Sequence, residues 1–164
     1  MSKRHIVRAP QTDRYAIDVP CKPADLNCSP IVLAGRSSSL IVEAGATATL
    51  GGFTVTRDTE SIVTSTSPFT ITPKHDGTYL VVFSSVLDIG TAFADRIIAY
   101  TVLVNGVSAA SIPKAARVGG LHTEQIIANL RITAGQPVTF QVTNSAGGNV
   151  TFAAFQIDFI NVGP

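Results

Sequence analysis

From residue 46 to the C-terminus, apolar side chains recur at every second position in short runs, cut by breaks containing Gly, Pro or Asn. A period of two is the repeat of a β-strand, whose successive side chains point to opposite faces. "TATLGGFTVTRD" alternates through Thr47, Thr49, Phe53 and Val55, with Gly51-Gly52 as a bulge or bend. "PFTIT" puts Phe69 and Ile71 on one face. "TYLVVFSSVLDI" is apolar on both faces, as in a strand covered on each side. "RIIAYTVLV" alternates Ile98, Tyr100, Val102 and Val104 and runs into Asn105-Gly106, the dipeptide best suited to the two positive φ angles of a type I′ hairpin. Three further strands follow: Leu130 and Ile132 share a face, as do Val138, Phe140 and Val142, then Phe155, Ile157 and Phe159. "TEQIIANLRI" fits a helix by length, but its β-branched residues and the Gly-x-Pro stop after it favour a strand. Many short strands with turn signals between them and no convincing helix predict an all-β antiparallel sandwich.

Composition then limits what such a sandwich does. Charged residues are 14% of the chain and apolar residues 45%, whereas soluble domains carry about 25% charge. So few charges suit a surface partly covered by sister copies or a partner. No apolar run approaches the ~20 residues of a membrane span. "MSKRHIVRAPQTDRY" has basic residues without the apolar core of a secretory signal, which predicts synthesis in a host cytoplasm. Cys21 and Cys28 are then expected as free thiols rather than a local disulfide. No CxxC is present and the histidines are scattered at 5, 75 and 122, so no metal or other cofactor is expected.

Residues 1–45 read as an extended, proline-containing arm and 46–164 as the sandwich domain. The first 25 residues hold five basic and three acidic side chains, too weak an excess for a nucleic-acid tail. Such an arm either docks or is disordered; docking is the reading taken, with Ile6, Val7, Tyr15, Ile17 and Val19 as the gripping residues.

"SPFTITPKHDGTYLVVFSS" raises the question of catalysis, because His75 and Asp76 are adjacent. Adjacent strand side chains point to opposite faces, and neither a Gly-x-Ser-x-Gly elbow nor an HExxH is present. Pro73 to Asp76 is therefore expected as an exposed corner, with Gly77 allowing a sharp turn before Tyr79 enters the core. His122 is expected in a loop or interface, and Asp88 and Asp95 flank a loop with Arg96 or Arg131 as ion-pair partners. No enzymatic activity is expected.

The order of these elements resembles the C1q/tumour-necrosis-factor type of jelly roll over roughly residues 65–163, with 45–64 as its first strands. The resemblance rests on Phe69, Pro73, Gly77 and Tyr79, on Asn105-Gly106, on Leu130, Ile132, Gly135 and Val138 in "LRITAGQPV", and on Phe152 and Phe155 near the C-terminus. Gln136 departs from the family's usual Asp, the loop "NSAGGN" lacks the carboxylates of calcium-holding members, and no collagen stalk is present. The resemblance implies a homotrimer packed around a three-fold axis through aromatic and aliphatic side chains. Candidates for that axis are Tyr79, Val81, Phe83, Tyr100, Phe152, Phe155 and Phe159, with Arg96, Arg117 and Glu124 on the rim.

An arm, one jelly roll and no catalytic motif lead to an expected function: a trimeric decoration (cement) protein on the capsid exterior of a bacteriophage virion. Its partners would be sister copies and the major capsid protein, with neither nucleic acid nor membrane. The alternative is a receptor- or carbohydrate-binding head of a phage fibre, which would use loops around 88–95 and 108–124. Those loops hold Phe93 as their sole aromatic, where sugar stacking calls for several. A genome-packaging coat protein is disfavoured by the arm's modest charge.

Overall fold

A computed structural model describes residues 31–88, 96–116, 121–145 and 147–163. Among them run twelve strands: β1 (Val32–Arg36), β2 (Leu40–Val42), β3 (Thr47–Thr49), β4 (Thr54–Asp58), β5 (Val63–Thr66), β6 (Phe69–Ile71), β7 (Gly77–Asp88), β8 (Arg96–Val104), β9 (Val107–Ala116), β10 (Leu121–Ile132), β11 (Val138–Asn144) and β12 (Val150–Gly163). They form two antiparallel sheets of six strands each. Sheet A has the order β10-β7-β12-β1-β4 with β2 also on β12; sheet B has the order β5-β6-β11-β8-β9 with β3 also on β11. Neighbours far apart in sequence, such as β1 with β12 and β6 with β11, make this the jelly-roll sandwich expected from the alternation.

The inward positions are the predicted ones. Ile98, Tyr100 and Val102 of β8 meet Val138, Phe140 and Val142 of β11 in the core, with Phe155, Ile157 and Phe159 of β12 opposite. Each fully buried aliphatic or aromatic side chain is worth roughly 1.5–3 kcal/mol relative to exposure. Asn105 and Gly106 have φ of 52° and 77°, so the hairpin between β8 and β9 has the predicted left-handed pair. "TEQIIANLRI" lies within β10, paired residue for residue with β7. Its alternation of buried and exposed positions is what the strand reading required.

Two expectations need correction. The sandwich starts near residue 31, so the arm cannot extend to 45. β1 lies between β12 and β4, with Val32 and Ala34 fully buried, and β2 pairs with β12. These strands escaped notice because "VLAGR" and "LIV" are too short to show a period. Gly77 likewise serves another purpose than the predicted turn. Its φ is not left-handed, but a Cβ there would sit 2.9 Å from the carbonyl oxygen of Gly163, so glycine is required by the close approach of the β12 end.

One buried polar side chain holds the loops at one end of the sandwich. Asn144, fully buried, donates from Nδ2 to the carbonyls of Val42 at 2.9 Å, Glu43 at 3.1 Å and Gly148 at 2.8 Å. These acceptors lie at the end of β2, in the β2–β3 connection and in the β11–β12 connection, so one side chain ties the three together beside the backbone bonds of Asn144 with Gly45 and Ala46.

Candidate assembly surface

The predicted axis residues do not face outward. Tyr79, Val81, Phe83, Tyr100, Phe152, Phe155 and Phe159 are each at most 3% exposed in the single chain, which leaves them almost no area to bury against a sister copy. Phe83, Tyr100, Phe152 and Phe155 belong to a run of ring contacts through the core: Phe53 on Phe69, Phe69 on Phe140, Phe140 on Phe83, Phe83 on Tyr100, Tyr100 on Phe152 and Phe152 on Phe155, at centroid separations from 4.7 to 6.4 Å. Tyr79 stacks on Phe159 at 4.7 Å. Aromatic rings offer the largest apolar area and so fill the space between the layers first. The hydroxyl of Tyr100 reaches across that space to Ser85, 2.7 Å away, and burial pushes it up to about 12 even though this hydrogen bond pulls it the other way.

What faces outward on sheet A is the other half of each alternation. Successive cross-strand rows read Asn129-Leu80-Ile160, then Ile127-Val82-Asp158-Leu33, then the polar Gln125-Ser84-Gln156-Gly35, then Thr123-Val86-Ala154. Leu33, Leu80, Val82, Val86 and Ile160 are half-buried, while Ile127 and Leu121 at the sheet edge are 57% and 69% exposed. Asp158, the carboxylate among them, accepts a hydrogen bond from Gln156 Nε2 at 3.0 Å. A shallow recess of about 170 Å³ opens on this face between Ser84, Val86, Thr123, Ala154 and Gln156, where the β12 register skips a residue.

Sheet B turns a different surface to solvent. Its rows read Thr49-Gln141-Thr101-Ser111, Thr47-Thr143-Ala99-Pro113 and Thr70-Thr139-Leu103-Ser108, with Ile97, 49% exposed, at the end of β8. Hydroxyls bond across strands, Thr47 to Thr143 at 2.8 Å and Thr101 to Ser111 at 3.1 Å, and Gln141 Nε2 donates to Thr49 at 3.2 Å. A face whose side chains bond one another and water gains little from being covered.

The corner once weighed as catalytic is structural. Tyr79 Oη donates to the carbonyl of His75 at 2.8 Å, Asp76 accepts from the Ala134 backbone N–H at 2.8 Å, and the Gly135 N–H donates to the Pro73 carbonyl at 2.8 Å. Burial, then the Glu60 and Asp76 carboxylates, raise the Tyr79 hydroxyl above the usual phenol range. Lys74, His75 and Asp76 are exposed as expected, whereas Pro73 is buried. His122 stands inside β10 opposite Leu87, not in a loop. Much of 108–124, too, is strand, belonging to β9 and β10. Among the described residues, no three His, Cys, Asp or Glu side chains are grouped to hold a metal. Ile6, Val7, Tyr15, Ile17, Val19, Cys21, Cys28, Phe93, Asp95 and Arg117 lie outside the described residues.

The outward aliphatics on β7 were legible in principle. "TYLVVFSSVLD" is apolar at both parities, whereas "VTFQVTN" of β11 is apolar at one. The first pattern announces a second covered face; which set faces the monomer's own core depends on the other sheet.

No protein-family model matches the chain, and no curated protein matches it. Solved structures do. The globular domain of zebrafish complement 1qA superposes with a TM-score of 0.55 at 14% identity, over 83% of this chain and 99% of that one. The Eiger TNF of S. frugiperda gives 0.52 at 14% identity, over 79% and 92%. A chain of the infectious bursal disease virus Gt strain structure gives 0.50 at 11% identity, over 81% of this chain but 34% of the viral one, so this chain spans about a third of that protein. At these identities the likeness establishes the fold, a jelly-roll sandwich of the C1q/TNF type.

Proposed function

We propose that this chain is a non-enzymatic structural protein of a virion: a homotrimeric decoration protein on the exterior of a phage capsid. The observation that carries the reading is the aliphatic outer face of sheet A, set against the hydroxyl-covered face of sheet B. Leu33, Leu80, Val82, Val86 and Ile160 would pack against sister copies, in place of the aromatic residues that the core already uses. The resemblance to trimeric jelly rolls supports three-fold assembly, and the occurrence of the same sandwich in a virus structure supports a virion setting. The segment preceding residue 31 would carry the capsid anchor, through Ile6, Val7, Tyr15, Ile17 and Val19 gripping the major capsid protein.

Sedimentation equilibrium of the full chain and of a chain starting at residue 26 tests this, together with co-sedimentation on empty capsids. Both chains should be trimeric at micromolar concentration, and only the full chain should pellet with capsids. A lone protomer would overturn the assembly; capsid binding retained by the shortened chain would overturn the arm as anchor.

A further inference from the structure

The four sheet edges are not alike. β4 has five residues, lies beside a register shift at Leu33/Ala34, and ends at Asp58, whose carboxylate accepts the N–H groups of Ile62 and Val63. β5 has four residues and a register shift between Val63 and Ser65. β9 carries Pro113 and Lys114, and its pairing shifts at Val102/Leu103. Short length, bulges, proline and lysine are the devices by which sheets prevent a further strand from adding.

β10 has none of these. It runs twelve residues, paired with β7 from Leu121↔Asp88 to Ile132↔Gly77 without a shift, and contains neither proline nor lysine. Its charges, Glu124 and Arg131, flank an uncharged middle, "QIIANL" at 125–130, centred on two isoleucines, and an uncharged edge left bare is an aggregation hazard. Its outward Leu121 and Ile127 are two of the large apolar side chains that the described residues leave exposed.

We infer that the free edge of β10 receives a strand from residues 11–19 of the same chain. That window is proline-free between Pro10 and Pro20, and its Tyr15, Ile17 and Val19 alternate with Arg14, Ala16 and Asp18, so one face is apolar and can continue the row begun by Ile127. The lengths agree. The chain enters sheet A at Ile31, whose N–H donates to the Phe159 carbonyl, and β1 is three strands from β10. A strand beyond β10 is therefore about 19 Å from β1 at 4.7–4.9 Å per step, while residues 20–30 can span about 35 Å when extended. Tethering on the same chain gives this strand a high effective concentration over a donor from elsewhere. The inference narrows the capsid anchor proposed above to Ile6 and Val7, which remain free to reach the shell, and reassigns Tyr15, Ile17 and Val19 to the sandwich.

Hydrogen exchange on the full chain tests it. The amides of 121–132 that point away from β7 should exchange about tenfold or more slowly than open-edge amides of β9, and Ile17→Pro should return them to the open rate while Ile17→Val does not. A photoreactive benzophenone side chain replacing Tyr15 should cross-link to 121–132 within one chain, giving a product of single-chain mass. Unprotected β10 amides, protection that survives Ile17→Pro, or a cross-link that joins two chains would each overturn the assignment. The solution mass of Ile17→Pro should equal that of the parent, so loss of this strand is distinguishable from loss of the trimer.

Discussion

The two outer faces of this sandwich are built from the same kind of strand and differ in what fills the solvent-side positions. On β7 those positions include Leu80, Val82 and Val86 beside the polar Thr78, Ser84 and Asp88; on β11 they are Thr139, Gln141 and Thr143, with no aliphatic among them. Both sets alternate with equally buried inward residues, so the core does not distinguish them. The hydroxyl face is satisfied by cross-strand bonds and water, whereas the aliphatic face leaves area whose burial is favourable at about 25 cal/mol per Å². A sandwich therefore needs one apolar face per sheet to fold, and a second apolar face only if something is to cover it. This contrast is the ground on which sheet A is proposed as the assembly surface.

The sharpest way to break the comparison is to put a charge at the centre of each face. Val82→Arg should convert trimer to monomer, because a buried unpaired guanidinium costs several kcal/mol at every contact. Thr101→Arg, at the matching place on sheet B, should leave the mass unchanged. Equal behaviour of the two variants by sedimentation would remove the distinction.

Next in size is Gly77→Ala, which separates the end of sheet A from its faces. The added methyl meets the Gly163 carbonyl at 2.9 Å, so β12 must shift. A loss of about 1–3 kcal/mol is expected in denaturant unfolding, with hydrogen exchange quickened at 159–163 and the assembly retained.

Tyr100 reports on the interior that both faces share. Its folded-state value is raised to about 12 from the ordinary 10, so above pH 10 the unfolded chain loses a proton that the folded chain keeps. Stability should be level below pH 10 and then fall as pH rises towards 12, by about 1.4 kcal/mol per unit at most. Tyr100→Phe should reduce that slope to the part due to the raised Tyr79 hydroxyl, at a cost of about 1 kcal/mol for the unpaired Ser85 hydroxyl. Urea titrations across this range check both statements.

The smallest effect belongs to the hydroxyl face. Thr143→Val removes the bond to Thr47 but keeps a β-branched side chain, so the unfolding midpoint should move by no more than about 0.5 kcal/mol and the trimer should persist. A large loss here would mean that sheet B, too, is covered.

Much of the fold was legible from residues alone because alternation and turn chemistry are local. Phe69 with Ile71, the Asn105-Gly106 hairpin and the strand at 121–132 each followed from a few neighbouring side chains. β1 and β2 were missed because short strands have no period, and they are held by β12, more than a hundred residues away. The site fared worse. Tyr79, Phe83 and Phe155 read as axis residues in the sequence because large aromatics serve a core and an interface equally well, and the choice between them is made by the opposite sheet. The primary sequence thus determined which positions share a face and where the chain turns, since both depend on the stereochemistry of adjacent residues. Only the packing of sheet A on sheet B decided which face became interior and which stayed outward, because burial is a property of what lies opposite.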